Sequence, residues 1–221
     1  MYFIDQRIQV IANQLGNLRF RDSVGVNNWQ YKFGQYFRPA EADASDKPWL
    51  PFDCQTMHWY AEYAGTDQFE GKFTGQNTDF HGLPGSHYWF RTTATVPQSF
   101  AGKSVWMKIR TQIEEWDDGK NPQFLVFING EVIQGADMNH RDIWLRPNAV
   151  GGEELTIDIQ AYTGTLHREF SFLVDLYVRD EQINRLYYDL LIPLQAFPRM
   201  GEDNKTRMDI QTVLNNAINL I

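Results

Sequence analysis

The chain has one cysteine, Cys54, among 221 residues. A lone thiol cannot form an internal disulfide, which excludes a disulfide-stapled secreted scaffold. A catalytic thiol would need an activating base. His58 lies four positions on, but a small buried hydrophobe is the commoner role for such a cysteine. Basic runs are also lacking: Lys and Arg never occur three in succession, and the formal net charge is −8. Nucleic acid and anionic membrane both recruit clustered cations, so neither is expected as a partner. No apolar stretch approaches the ~20 residues that span a bilayer. The N-terminal MYFIDQRIQVIANQL sets charges among its apolar positions and has no small-residue cleavage site, so it does not read as a signal peptide. The expected location is therefore cytoplasmic. There is no internal repeat, low-complexity tract, nucleophile elbow or phosphate-cradling glycine loop.

What is present is an ordinary apolar share of 43% and an aromatic share of 14%, the latter high. Rings in such number suit strands and their packed cores, and they also suit surfaces that face sugars. Ile4, Ile8, Ile11 and Leu15 fall at helical spacing, with Gly16 as the expected stop. That amphipathic helix is expected to dock on something, and Arg7 and Arg19 are too few for a membrane surface. Residues 22–85 lack periodicity and carry four prolines among many large rings, including Trp29, Trp49 and Trp59. They read as ordered loops wrapped over a sheet, with one short strand near 56–63.

From residue 88 the pattern is regular. Strands are expected at 88–96, 104–111, 123–128, 131–135, 142–147, 154–162 and 169–178, separated by turns rich in Gly, Asn and Pro. In 104–111, Val105, Met107 and Ile109 alternate with Trp106, Lys108 and Arg110. Asn129-Gly130 is a strong hairpin signal, since both residues tolerate positive φ. Consecutive strands with no helices between them predict a mainly β fold, an antiparallel sandwich or jelly roll of galactose-binding-like type. After 178 the period becomes helical. Asp180 is expected to cap a helix that Pro193 kinks, and Thr206 with Asp209 resembles a capping box for a last helix. That helix carries its apolar stripe to Ile221, as if cut from something longer. The expected organisation is an N-terminal helix (1–20), a sandwich (21–178) and a helical linker (179–221).

Few motifs carry chemistry. Glu114-Glu115-Trp116-Asp117-Asp118 sets carboxylates beside an indole. Such a cluster is most often a solvated loop, but paired carboxylates can hydrolyse glycosides while a sugar stacks on the ring. Trp116, Glu115 and Asp117 are the candidate carbohydrate-binding residues, with Trp49 and Trp59 as further platforms. EF-hand spacing is absent. His140 and Asp142 stand two apart and on a strand would share a face, as metal ligands can. The blander reading is a hydrogen-bonded loop of Asp137, Asn139, His140 and Arg141, offered as a contact with another domain. A kinase catalytic loop is excluded, because Pro147 occupies the place of its asparagine.

Four runs, WFRTTATVPQSFAGKSVWMKIRT, FLVFINGEVIQGADMNHRDIWL, VRDEQINRLYYDLLIPLQAF and DIQTVLNNAINLI, together resemble the N-terminal region of glycoside hydrolase family 38 α-mannosidases. The branch is the cytosolic and vacuolar one, and the resemblance covers residues 88–221. It implies a non-catalytic β-sandwich preceding a catalytic domain that binds zinc through a His-x-Asp motif and uses an aspartate nucleophile in a retaining mechanism. His140-Arg141-Asp142 has that spacing but lies in the sandwich's own motif, so no catalytic or metal residue is carried over. The implied cofactor is none for this chain, with zinc in the catalytic domain. The implied partners are that domain and a possible homo-oligomer.

Overall fold

Alternation determines which side chains the strands bury, and it is clearest at 105–110, where Val105, Met107 and Ile109 are buried while Arg110 is exposed. The computed structural model describes residues 2–54, 58–63, 69–74, 87–111, 122–137, 140–162 and 168–220. Along them run α1 (Tyr2–Leu18), β1 (Phe20–Val26), β2 (Trp29–Phe33), α2 (Pro39–Ala44), β3 (Leu50–Phe52), β4 (His58–Tyr63) and β5 (Phe69–Thr74). There follow β6 (His87–Thr95), β7 (Val105–Arg110), β8 (Gln123–Ile128), β9 (Glu131–Ala136), β10 (Asp142–Arg146) and β11 (Glu154–Tyr162). The chain ends in β12 (Arg168–Phe170), β13 (Leu173–Arg179), α3 (Glu181–Ala196) and α4 (Lys205–Ile218). The fold is mainly antiparallel β, a sandwich with helical ends.

The chain divides into two compact units, Ser23–Tyr177 and a second made from Met1–Asp22 with Val178–Ile221. In the first, one sheet has the order β3-β2-β6-β11-β8-β9, another β1-β13-β7-β10, and a small one β12-β4-β5. The expected strand at 169–178 is split into β12 and β13, because Phe172 leaves the ladder to plug the core. Its ring stacks on Phe90 at 4.1 Å and meets Trp29 edge-on at 5.0 Å. Such pairs add about 0.5–1.5 kcal/mol each beyond their buried area. The β8–β9 hairpin turns at Asn129 (φ 53°) and Gly130 (φ 84°), and Asn129 Oδ1 accepts from Thr156 N at 2.9 Å, tying the turn to β11.

Residues 22–85 hold more regular structure than their sequence suggests, namely β1–β5 and α2. These elements are short, three to seven residues long, which is too brief for a period to register.

The second unit is helical. Ile8, Ala12 and Leu15 of α1 form one buried cluster with Leu190 and Leu194 of α3, Phe197, and Leu214 and Ile218 of α4. Of the α4 stripe that reads as unfinished in sequence, Leu214 and Ile218 therefore have partners within the chain, while Val213 stays exposed. Arg7 donates to Asn215 (3.1 Å) and Asn219 (2.9 Å), and Asp5 accepts from Arg207 (3.2 Å) and Gln211 (2.6 Å). Gly16 does not stop α1, which continues to Leu18. A Cβ there would lie 3.1 Å from the Tyr187 ring, so glycine serves close helix approach. Asp180 caps α3 as expected, accepting from Ile183 N at 3.1 Å. The cap of α4 is Asn204, accepting from Arg207 N, and not Thr206. α3 passes Pro193 and tightens into a 3-10 turn at Phe197–Arg199.

Candidate functional site

Two cross-strand rows define the outer face of the six-stranded sheet. One is Lys32, Trp89, Gln160 and Leu125; the other is Gln30, Arg91, Asp158 and Phe127. α2 lies over them, burying Ala42 against Trp89 and Phe127. A six-residue helix is far too short to persist by propensity, even with Pro39 at its first turn and three alanines. Tertiary contacts hold it. Lys32, 2% exposed, donates through Nζ to Ala42 O at 2.5 Å and to Ser45 Oγ at 3.2 Å, supplying a cation where the helix presents its last carbonyls.

Beside Lys32 the charges are tightly grouped. Arg91 Nε donates to Asp158 Oδ1 at 2.5 Å, Arg91 Nη1 donates to Asp43 Oδ1, and Trp49 Nε1 reaches the same Asp43 oxygen at 3.2 Å. The Trp49 ring lies 4.5 Å from the guanidinium carbon and 4.9 Å from Lys32 Nζ. The two carboxylates diverge in environment. Burial pushes Asp158 upward, more than Arg91 pulls it down. Burial also raises Asp43, but there the hydrogen bond and charge of Arg91 outweigh it and hold the group below its ordinary value. Asp158 is 1% exposed, so it cannot give up its cation without a large desolvation penalty. The cluster works as a clamp that fixes α2.

Next to the clamp is a recess of about 150 Å³ lined by His87, Gln123, Phe124, Leu125, Gln160 and Tyr162. Gln160 Nε2 donates to Tyr36 O at 2.8 Å, and the His87 ring lies 5.0 Å from that of Tyr162. Burial holds His87 below the usual imidazole range, so at neutral pH it is uncharged, with one donor and one acceptor. Amides, a neutral imidazole and a phenol ring suit a hydroxyl-rich neutral ligand. They do not supply the pair of carboxylates that glycoside hydrolysis requires. A second recess, about 440 Å³, is lined by Asn27, Asn28, Trp29, Pro51, Phe52, Asp53 and Cys54 and has a single carboxylate. Burial and the Asp53 charge push the Cys54 thiol up to about 12, which leaves it unreactive at neutral pH.

Of the residues singled out in sequence, Glu115, Trp116 and Asp117 lie outside the described residues, as do Glu114, Asp118, Asn139 and the side chains of His58 and Trp59. Trp49 is placed in the clamp. Asp137 Oδ1 accepts from both His140 N (2.8 Å) and His140 Nδ1 (2.9 Å), just ahead of β10. Asp142 sits on β10 opposite Lys108, with Lys108 Nζ 4.0 Å from its carboxylate. Among the described residues no three His, Cys, Asp or Glu side chains gather as a metal site. Sequence reading missed Arg91, Asp158 and Asp43. Arg91 shares strand parity with Trp89, which places both on one face; its partners belong to distant elements and leave no local signal.

No family model matches the sequence, and no curated protein matches it. Among solved structures, similar chains include glycosidases. One is assigned as a β-galactosidase from Bacteroides fragilis, with 16% identity, TM-score 0.45, and coverage of 72% of this chain and 23% of that one. Others are the β-glucuronidase of Ruminococcus gnavus with D-glucuronic acid (11% identity, TM-score 0.43) and with D-glucaro 1,5-lactone (11%, 0.46). Each of those two matches covers 73% of this chain and 30% of the enzyme, so the chain spans less than a third of these proteins.

Proposed function

We propose that the chain is the non-catalytic, sandwich-bearing part of a glycoside hydrolase and, more finely, of an α-mannosidase whose catalytic domain belongs to the same polypeptide. The observation that carries this is how the sandwich uses its ionisable groups. Buried Asp158, its half-buried partner Arg91 and Asp43 are committed to holding α2, while the two recesses described in this unit have one carboxylate between them, Asp53. Such a unit supports and does not cleave. The α-mannosidase reading rests on the sequence resemblance, whose NGE run falls on the β8–β9 hairpin and whose LYYDL run falls on α3. In that reading zinc belongs to the catalytic domain. In that reading the chemistry belongs there too.

The test is to assay the natural full-length polypeptide and residues 1–221 in parallel on aryl α-mannoside with added zinc. The expected result is turnover by the full polypeptide and none by the 221-residue chain. Turnover on aryl β-glucuronide or β-galactoside instead would overturn the mannoside assignment. Turnover by this chain alone, lost in Glu114→Gln, would overturn the accessory role.

A further inference from the structure

The outer face of the four-stranded sheet carries a feature that the accessory reading does not use. On β7 and β10, Trp106 and Trp144 are directly paired across the strands and stack, with ring centroids 5.8 Å apart and planes 18° from parallel. Trp144 is 51% exposed. Trp106 Nε1 donates to Ser104 Oγ at 2.9 Å, so the ring's polar edge is engaged and fixed. The next row along the same face pairs Lys108 with Asp142 at 4.0 Å, and beyond it Arg110 pairs with Asp175 at 2.6 Å.

Three properties of this face select its ligand. Each ring braces the other, so the aromatic surface is already ordered before anything binds, which reduces the entropy cost of association. The exposed indole offers a flat apolar surface, the complement of the C–H face of a pyranose. The rows beside it add two cations and two anions, Lys108 and Arg110 with Asp142 and Asp175. Donors and acceptors are therefore plentiful while the local charge sums to zero. An anionic polymer would find no net attraction here, and a wholly apolar partner would strand the ion pairs. We propose that the Trp106–Trp144 face binds a neutral saccharide, with Trp144 as the stacking platform and the Lys108–Asp142 and Arg110–Asp175 rows hydrogen-bonding its hydroxyls. The proposal stands on these side chains whether or not the parent is a mannosidase.

Affinity electrophoresis of the 221-residue chain tests it, in gels containing soluble mannan, galactomannan, xyloglucan or, as the acidic control, polygalacturonate. Retardation by at least one neutral polysaccharide is expected, with none by polygalacturonate. Trp144→Ala should weaken the retardation about tenfold or more, and Trp144→Phe should retain part of it. Far-UV circular dichroism of both variants separates lost binding from lost folding. Retardation by no neutral polysaccharide, or equal retardation of folded Trp144→Ala, would overturn the proposal. So would binding to polygalacturonate alone, or a dimer in gel filtration that Trp144→Ala abolishes, which would assign the face to a second copy of the chain. None of these results bears on the mannosidase assay, so the two readings fail separately.

Discussion

Trp89 and Arg91 on the six-stranded sheet lie beneath α2, the tryptophan fully buried and the arginine held between Asp43 and Asp158. Trp144 and Arg110 on the four-stranded sheet face solvent, the tryptophan 51% exposed and the arginine paired with Asp175. The residue types are alike and so is the alternation that directs them outward. What differs is the cover. Under α2 a charge loses its hydration and must be paired, so its removal unbalances the core. On the open face water screens the pairs, and each contributes little to stability. One face of the sandwich is structural and the other is available for contact.

The sharpest way to break this contrast is Arg91→Met, which leaves Asp158 buried without its cation. Urea denaturation should show a loss of about 3–5 kcal/mol, whereas Arg110→Met should cost less than about 1 kcal/mol. Adding Asp158→Asn to Arg91→Met should recover most of the loss. Equal costs for the two arginines would erase the distinction between the faces. Next in size, Lys32→Met removes a buried charge-assisted hydrogen bond to the end of α2. A loss of about 1.5–3 kcal/mol is expected in the same assay.

The two clamp carboxylates should respond to pH with opposite sign. Asp43 is held below its ordinary value, so its contribution is present above that value and is lost as pH falls through the folded one. Asp158 is raised, so the folded state prefers its proton, and stability declines as pH rises from the ordinary carboxylate value through the folded one. Denaturation between pH 3 and 7 should therefore show a flatter acid limb for Asp43→Asn, and for Asp158→Asn the loss of the decline on the rising side. Two variants with slopes of the same sign would contradict this assignment. A smaller effect is expected on the open face: Trp144→Ala removes the stack with Trp106 and should cost about 0.5–1.5 kcal/mol in thermal melts, less than the loss of Arg91 or Lys32.

The sandwich was legible in sequence wherever burial repeats over several residues, as in Val105, Met107 and Ile109, or where a turn imposes its own chemistry, as at Asn129-Gly130. α2 was not, because its stability comes from Trp89 and Phe127, far off in the chain, and from Lys32, ten positions before Ala42 on a different element. The cap of α4 was misplaced by two residues because Asn204 and Thr206 both have capping side chains, and only the backbone path chooses between them. The alternation at 104–111 had already turned Trp106 outward, but its partnership with Trp144 depends on strand register, which no single strand encodes.

The helical unit has a consequence for how the chain is made. Arg7 of α1 finds its partners Asn215 and Asn219 at separations of 208 and 212 positions. At ~5–20 residues per second, synthesis leaves α1 waiting roughly 10–40 s for the helices that cover Ile8, Ala12 and Leu15. The intervening sandwich has its own core and can close during that interval, so α1 finds its place only after much of the sandwich that follows it has been made. During that wait its apolar stripe is what a chaperone would meet.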